Sequence, residues 1–282
     1  MLSPIDISDA VNNALKNLSD SPTAIIGQSI AEALSVVQTK IHYFSSKKKF
    51  QYQQDYIKFL NSAFAKISAI PIVDQIEPQA QILGAISEDI THCVGCEELR
   101  EMFATLLSNS CNCKYSSIVH PSFSSSLKSM SPYDAMFLKK INEGQKNTDN
   151  IYEAIEAAEY ILFRSIDTHE DIRPGMALPA HKNITIFHEC IVFTDDYFSD
   201  FDMQSLSISA LKQLGIIGYT QSEPFSADRK FTEIGYFKSL KKQYNTPQSH
   251  VEARRLQMYL TPYGQAFINA CLTPPLLSEC NP

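Results

Sequence analysis

The residues that come closest to metal-site spacing are Cys93-x2-Cys96 and Cys111-x-Cys113, with His92 beside the first pair. Paired cysteines of this kind can hold a structural zinc. The stretch between them argues against one shared ion. If residues 97–110 form a helix, its ends lie about 20 Å apart at 1.5 Å per residue. Zinc holds its ligands at roughly 2.3 Å, and no proline or glycine stands between the pairs to break the helix. Two half-sites completed by another subunit would be the remaining arrangement.

Other catalytic patterns are incomplete. His188-Glu189-Cys190 is half of a zincin motif, but no second histidine stands four residues after His188. There is no G-x-S-x-G elbow, Walker A motif or G-x-G-x-x-G loop. Asp195-Asp196 and Asp200/Asp202 could offer oxygen ligands to a divalent cation. They sit among Tyr197, Phe198 and Phe201, a composition that reads as a solvated corner. His120 precedes Pro121 at the entrance to a short helix, where its ring can bond orphan backbone groups. The expectation is therefore of no catalytic residues, no metal and no cofactor, with a metal-dependent hydrolase or nuclease as the third reading.

The basic residues suit contact rather than catalysis. Residues 223–256 carry Arg229, Lys230, Lys238, Lys241, Lys242, Arg254 and Arg255 against four acids, a balance of +3. Phe231, Tyr236, Phe237 and Tyr244 are interleaved with them. Such a segment can touch phosphates without reading sequence. Lys212 lies on the helix that would serve for recognition, with Gln204 and Gln213 beside it. These eight cations are the expected nucleic-acid or partner contacts.

The elements that must position these residues follow from composition and period. The 282 residues suffice for one large domain or two modest ones. Nine glycines are few, about half of average usage, which favours helices. The net charge of −7 excludes a surface that binds polyanions throughout. From Asp200 onward there are 8 Lys/Arg against 7 Asp/Glu, a balance of +1, whereas the first 199 residues hold 16 against 24. No basic-then-apolar leader and no long uncharged apolar run is present, so a secretory signal or membrane span is not expected. Seven cysteines without such a leader suggest reduced thiols in the cytoplasm.

Residues 22–69 carry an apolar stripe through Ile26, Ile30, Val37, Ile41, Phe44, Tyr52, Tyr56, Phe59, Phe64 and Ile67. This predicts one long helix, or a hairpin turning near Ser45-Ser46. The stripe packs on the rest of the chain or on a second copy, and self-association through 22–69 is the expected use beyond the core. Further helices are predicted at Gln79–Ser87, Cys96–Ser110, after His120-Pro121, from Ser131-Pro132 to about Gly144, and at Thr148–Arg164. Asn183–Phe193 reads as a strand or an irregular core segment. Helix Ser205–Leu214, capped by Gly215, precedes a strand Ile216–Tyr219, a long polar excursion, a strand Gln257–Leu260 and a final helix from Thr261-Pro262. That order is the C-terminal half of a winged helix.

Three segments together resemble the Abi-alpha family of bacterial abortive-infection proteins. The first is Glu97–Asn109, with Leu99, Arg100, Leu106 and Leu107. The second is Val119–Phe123 followed by Leu127–Ala135, with His120, Pro121, Phe123, Ser131, Pro132 and Asp134. The third joins Leu211–Ile217, around Gly215, to Leu260–Phe267, with Thr261, Pro262 and Gly264. The resemblance runs in order from about Pro22 to Cys271. It implies a protein that limits phage spread, often at the cost of the infected cell, and it supplies no catalytic residues. The cysteines between Cys93 and Cys113 are not part of the pattern.

The resulting expectation is a mainly α chain: residues 1–21 a flexible segment, 22–165 a helical body, 166–272 a winged-helix-like α+β module and 273–282 a tail. It would act in phage defence by recognising a phage or host protein, with a nucleic-acid-binding regulator as the second reading.

Overall fold

The computed structural model describes residues 26–30, 46–146, 155–164, 185–191, 200–226, 232–245 and 249–274. They are mainly helical. Residues Met1–Lys139 and Pro262–Pro282 form one compact unit, and Lys140–Thr261 a second.

In the first unit, residues 26–30 are helical and bury Ile26 and Ile30. Helix α1, Ser46–Ser68, buries Tyr56, Phe59, Leu60, Ala63, Phe64 and Ile67 at spacings of three and four. This is the second half of the stripe read from the sequence, and it is spent on the unit's own core. Whether α1 continues from residue 30 lies outside the described residues. A 3-10 turn at Ile72–Asp74 links α1 to α2, Ala80–Cys93, which runs beyond its expected end at Ser87.

Helix α3, Glu97–Ser110, is the hub and packs against α1, α2, α4 (Ser122–Ser129) and α8 (Pro262–Cys271). Every residue from Met102 to Ser110 is buried. A helix buried all round is normally apolar, yet this one carries Thr105, Ser108, Asn109 and Ser110. The hydroxyls satisfy themselves within the helix: Thr105 donates to the Glu101 carbonyl (2.9 Å), Ser108 to Thr105 (2.9 Å) and Ser110 to Leu107 (2.6 Å). Helix α5, Pro132–Lys146, starts as predicted. The Ser131 hydroxyl accepts from the Asp134 N–H (3.1 Å) while the Asp134 carboxylate accepts from the Ser131 N–H (2.7 Å), a reciprocal cap.

The second unit holds an antiparallel sheet in the order β2-β1-β4-β3: β1 Ile155–Arg164, β2 Thr185–Ile191, β3 Ile217–Ser226 and β4 Ser249–Leu260. Here one expectation is overturned, one open alternative resolves and one segment gains structure. The predicted helix Thr148–Arg164 is instead strand β1 from Ile155, hydrogen-bonded on both sides. Its Glu/Ala-rich start imitates a helix, but Tyr160-Ile161-Leu162-Phe163 suits a paired strand and tertiary context overrides propensity. The ambiguous segment near 183–193 is strand β2. The polar excursion is not open loop, because β3 and β4 are longer than expected and helix α7, Gly235–Tyr244, lies between them.

Helix α6, Phe201–Gln213, packs on β2 and β3, and α7 packs on β4. Phe237 and Leu240 of α7 bury against Val251 and Ala253 of β4, with Phe201, Ile234, Tyr236 and Tyr244 around them. The end of α6 is a Schellman turn: Ile216 N–H donates to the Leu211 carbonyl (3.0 Å) and Gly215 N–H to Lys212 (2.9 Å). Gly215 has φ +73°, the left-handed region that favours glycine. The Thr261 hydroxyl donates to the Gly215 and Ile216 carbonyls, and its N–H donates to Ile216 (3.1 Å), so Thr261 closes this corner. Buried positions along β4 switch parity between Ala253 and Leu256, where its pairing with β3 slips.

Candidate functional site

Two buried carboxylates organise the helical unit. Asp55 of α1 receives Lys58 (3.1 Å) and lies 3.7 Å from Nη1 of Arg100 on α3. The same Nη1 donates to the Val94 carbonyl (3.0 Å). Arg100 is buried and its Nε has no hydrogen-bond partner. Asp89 of α2 receives the Ser124 hydroxyl (2.9 Å) and the Lys128 ammonium (2.9 Å) from α4, and that contact holds the Lys128 pKa above its ordinary value. Neither aspartate was singled out from the sequence. The signal was an acid set against the apolar stripe: Asp55 before Tyr56, and Asp89, itself preceded by Glu88, before Ile90.

His120 does what its position implied. The Ser122 N–H donates to its Nδ1 (3.2 Å), and the Ser122 hydroxyl lies 2.7 Å from the same nitrogen. With Nδ1 accepting, the ring proton sits on Nε2. The hydroxyl of Tyr263 on α8 lies 3.0 Å from Ser122 Oγ and 2.8 Å from Ser126 Oγ. Phe123 meets Tyr263 and Phe267 edge-on, with ring centres 5.1 and 5.4 Å away. A serine beside a histidine is the start of a nucleophile–base pair, but here the histidine and tyrosine join α4 to α8. Pro121 is the N-cap of α4, and Gly264 is buried.

Burial pushes the Cys93 thiol up to about 11 and Cys111 up to about 12, and raises Cys271 well above the usual value. A buried thiol of this kind attacks only after its proton has left. The unbroken 14-residue helix α3 separates Cys96 from Cys111 by about 20 Å. Among the described residues no group of three His, Cys, Asp or Glu side chains is placed to hold a metal. His188-Glu189-Cys190 lies on strand β2, not on a helix. Asp200 caps α6, accepting from the Asp202 and Met203 N–H groups (both 3.1 Å), and Asp202 accepts from the Tyr236 hydroxyl (2.6 Å). Asp195 and Asp196 lie outside the described residues.

Two surfaces carry clustered charge. On α7, Lys238, Lys241 and Lys242 are exposed at spacings that share one face, with the Lys241 ammonium 4.9 Å from the Phe237 ring centre. Lys212 is half-buried on α6, 4.1 Å over the Tyr219 ring. Arg229 and Lys230 lie outside the described residues. Arg254 and Arg255 lie on β4, an inner strand, in register with Glu159 and Ala158 of β1. The interleaved aromatics also depart from expectation, since Phe237 is core and Tyr236 and Tyr244 pack beside it. The second surface is an open cleft of about 280 Å³ in the helical unit, lined by Glu97, Glu98, Glu101, Met102, Thr105, Ala135, Lys139, Cys271 and Leu272. Burial alone would raise the Glu101 pKa, but the Lys66 ammonium (2.6 Å) and Ser62 hydroxyl (2.7 Å) outweigh it and hold the carboxyl below its usual range.

The helical unit is thus tied by buried ion pairs, and the sheet unit displays a lysine face. The chain belongs to the abortive infection alpha family, whose sequence model matches residues 51–271. The match begins within α1, so residues 22–50, included in the resemblance read from the sequence, fall outside it. No curated protein and no solved structure matches the chain. Among the described residues no helix is long and apolar enough to cross a membrane.

Proposed function

We propose that the protein acts in the cytoplasm of a bacterium as an abortive-infection-type defence protein that works by recognising a phage or host protein and not by catalysis. The family match over residues 51–271 carries this reading. The non-catalytic part is supported by what the hydroxyls do: Ser122, Ser124 and Ser126 are engaged in helix-joining bonds. The acidic cleft beside α3 suits a basic side chain of a partner, and the α7 lysines an acidic one. The winged-helix-like assignment of 166–272 belongs to the same proposal and is supported by α6, its Schellman turn and the β3–β4 pairing. Self-association through 22–69 would use residues ahead of α1 and the exposed Phe50, because α1 spends its apolar face on the core.

Infection of bacteria carrying the gene under its own promoter, at low and at high phage multiplicity, tests the reading. Protection at low multiplicity with collapse of the culture at high multiplicity is the expected outcome. Failure to protect against a broad phage panel would overturn it.

The exposed face Lys238/Lys241/Lys242 favours one second reading, a nucleic-acid-binding regulator. It predicts binding that weakens with salt, and reversal of all three lysines to glutamate lowers the slope of log affinity against log salt by up to about 3. Unchanged binding by that triple variant removes this reading.

A further inference from the structure

Cys93 is the last residue of α2 and Cys96 the N-cap of α3. The Cys96 N–H donates to the Cys93 carbonyl at 2.9 Å, closing a four-residue turn through Val94 and Gly95. Such turns bring their end Cα atoms within about 7 Å, and a disulfide needs Cα atoms about 4.4–6.8 Å apart.

Their surroundings differ in the way a working dithiol requires. Cys96 is half-buried as the N-cap of a 14-residue helix, whose positive end favours a thiolate, although partial burial holds its pKa above the ordinary value. The Glu98 carboxylate accepts the Cys96 S–H (3.2 Å) and, with partial burial, holds the proton on. Cys93 is buried behind it. One sulfur is open to attack an external disulfide and the other is shielded to resolve the adduct. Cys111 and Cys271 are buried without such a partner in sequence, and Cys113 is exposed at the far end of α3.

We infer that Cys93 and Cys96 form a reversible redox site that exchanges with low-molecular-weight disulfides. The Cys96 thiolate attacks one sulfur of the small disulfide, forming a mixed disulfide and expelling one small thiolate. Cys93, after losing its proton to solvent, attacks the Cys96 sulfur and expels the second. The chain loses two electrons and gains one S–S bond, the small disulfide is reduced to two thiols, and the two cysteine protons end on those thiols. The bond spans the turn whose Val94 carbonyl Arg100 holds, at the joint of α1, α2 and α3.

The test uses the intact reduced chain, equilibrated in glutathione buffers of stepped disulfide-to-thiol ratio, acid-quenched, alkylated and mapped by mass spectrometry. The expected result is a Cys93–Cys96 linkage that accumulates with the ratio and is reversed by dithiothreitol. Cys93→Ser accumulates glutathione on Cys96, while Cys96→Ser leaves Cys93 a free thiol. Glu98→Gln raises the exchange rate at neutral pH several-fold, which a purely structural carboxylate would not do. The proposal is overturned if the wild-type chain stops at glutathionylated Cys96 with Cys93 reduced. It is equally overturned if Cys96 links to Cys113 instead.

Discussion

Asn109 offers the sharpest test of how α8 is held on the hub. Its Nδ2 lies 3.3, 3.0 and 2.9 Å from the carbonyl oxygens of Asn269, Ala270 and Thr273, at the end of α8 where carbonyls lack helical partners. The residue is fully buried. Stranding one buried acceptor costs about 1–3 kcal/mol. Two facts temper the sum for Asn109→Ala. Asn269 and Thr273 are half-buried, so water reaches part of the region, and Asn109 Oδ1 is itself buried without a partner, an orphan the alanine removes. The net expectation is about 2 kcal/mol.

Asn109→Asp separates this account from mere loss of volume. The carboxylate accepts only, and it would face the negative end of the α8 dipole, so the cost at neutral pH rises to at least ~3 kcal/mol. The buried carboxyl would have a folded-state pKa above its unfolded one. Its penalty is then full above the folded pKa and fades as pH falls towards the unfolded value. Urea unfolding of the intact chain at neutral and mildly acidic pH gives the cost, and amide exchange over 262–271 gives the local readout. If Asn109→Ala unfolds like wild type and α8 exchanges at the wild-type rate, the reasoning fails. It also fails if the aspartate is no worse than the alanine at neutral pH.

Three further outcomes are expected. Gly215→Ala costs about 1 kcal/mol through the backbone alone, because a Cβ there meets no atom within 4 Å; thermal unfolding of the second unit reads it. Ser131→Ala and Asp134→Ala each cost about 1 kcal/mol, and the double variant costs less than their sum because each loss already opens the reciprocal cap. Glu101→Gln costs below about 1 kcal/mol, since its pair with Lys66 is partly exposed. The Glu101 contribution is present above the unfolded carboxyl pKa and is lost as pH falls through the lower folded value, so the wild-type and variant unfolding curves converge in acid.

The helical unit was legible because its signals are local. The stripe Tyr52–Ile67, the acids opening α3, the His120-Pro121 entrance and the Ser131-Pro132-Asp134 start each act within one or two turns of chain. Strand β1 was not legible: Ile155–Arg164 becomes a strand through pairing with β2 and β4, the latter some 95 residues further along the chain. Helix α7 was hidden for a related reason. Phe237 and Leu240 are three residues apart among lysines, and only Val251 and Ala253 give that short face something to cover. Reading the same residues as a basic segment with interleaved aromatics followed from composition without the partner surface. The buried acids Asp55 and Asp89 were passed over because Arg100 and Lys128, the cations that tie them to other helices, lie far along the chain.

The motif residues that resemble the family have a physical reading in this chain. Leu99, Leu106, Leu107 and Phe123 are core. Arg100 ties α1 to the α2–α3 turn, His120 caps α4, Ser131 and Asp134 cap α5, and Gly215 with Thr261 closes the corner before β3. What those motifs specify is therefore the scaffold, and the proposed recognition would fall on surfaces that the motifs leave unspecified. Two classes of variant should then separate in the phage assay. Substitutions at Arg100 or Asp134 reduce protection in proportion to lost folded protein, measured by its soluble level in the cell. Charge reversal at Lys238, Lys241 and Lys242 alters protection with folded protein unchanged if that face meets the target. A scaffold variant that folds at wild-type level yet abolishes protection would show that a motif residue acts directly, and would move the search for the site back into the helical hub.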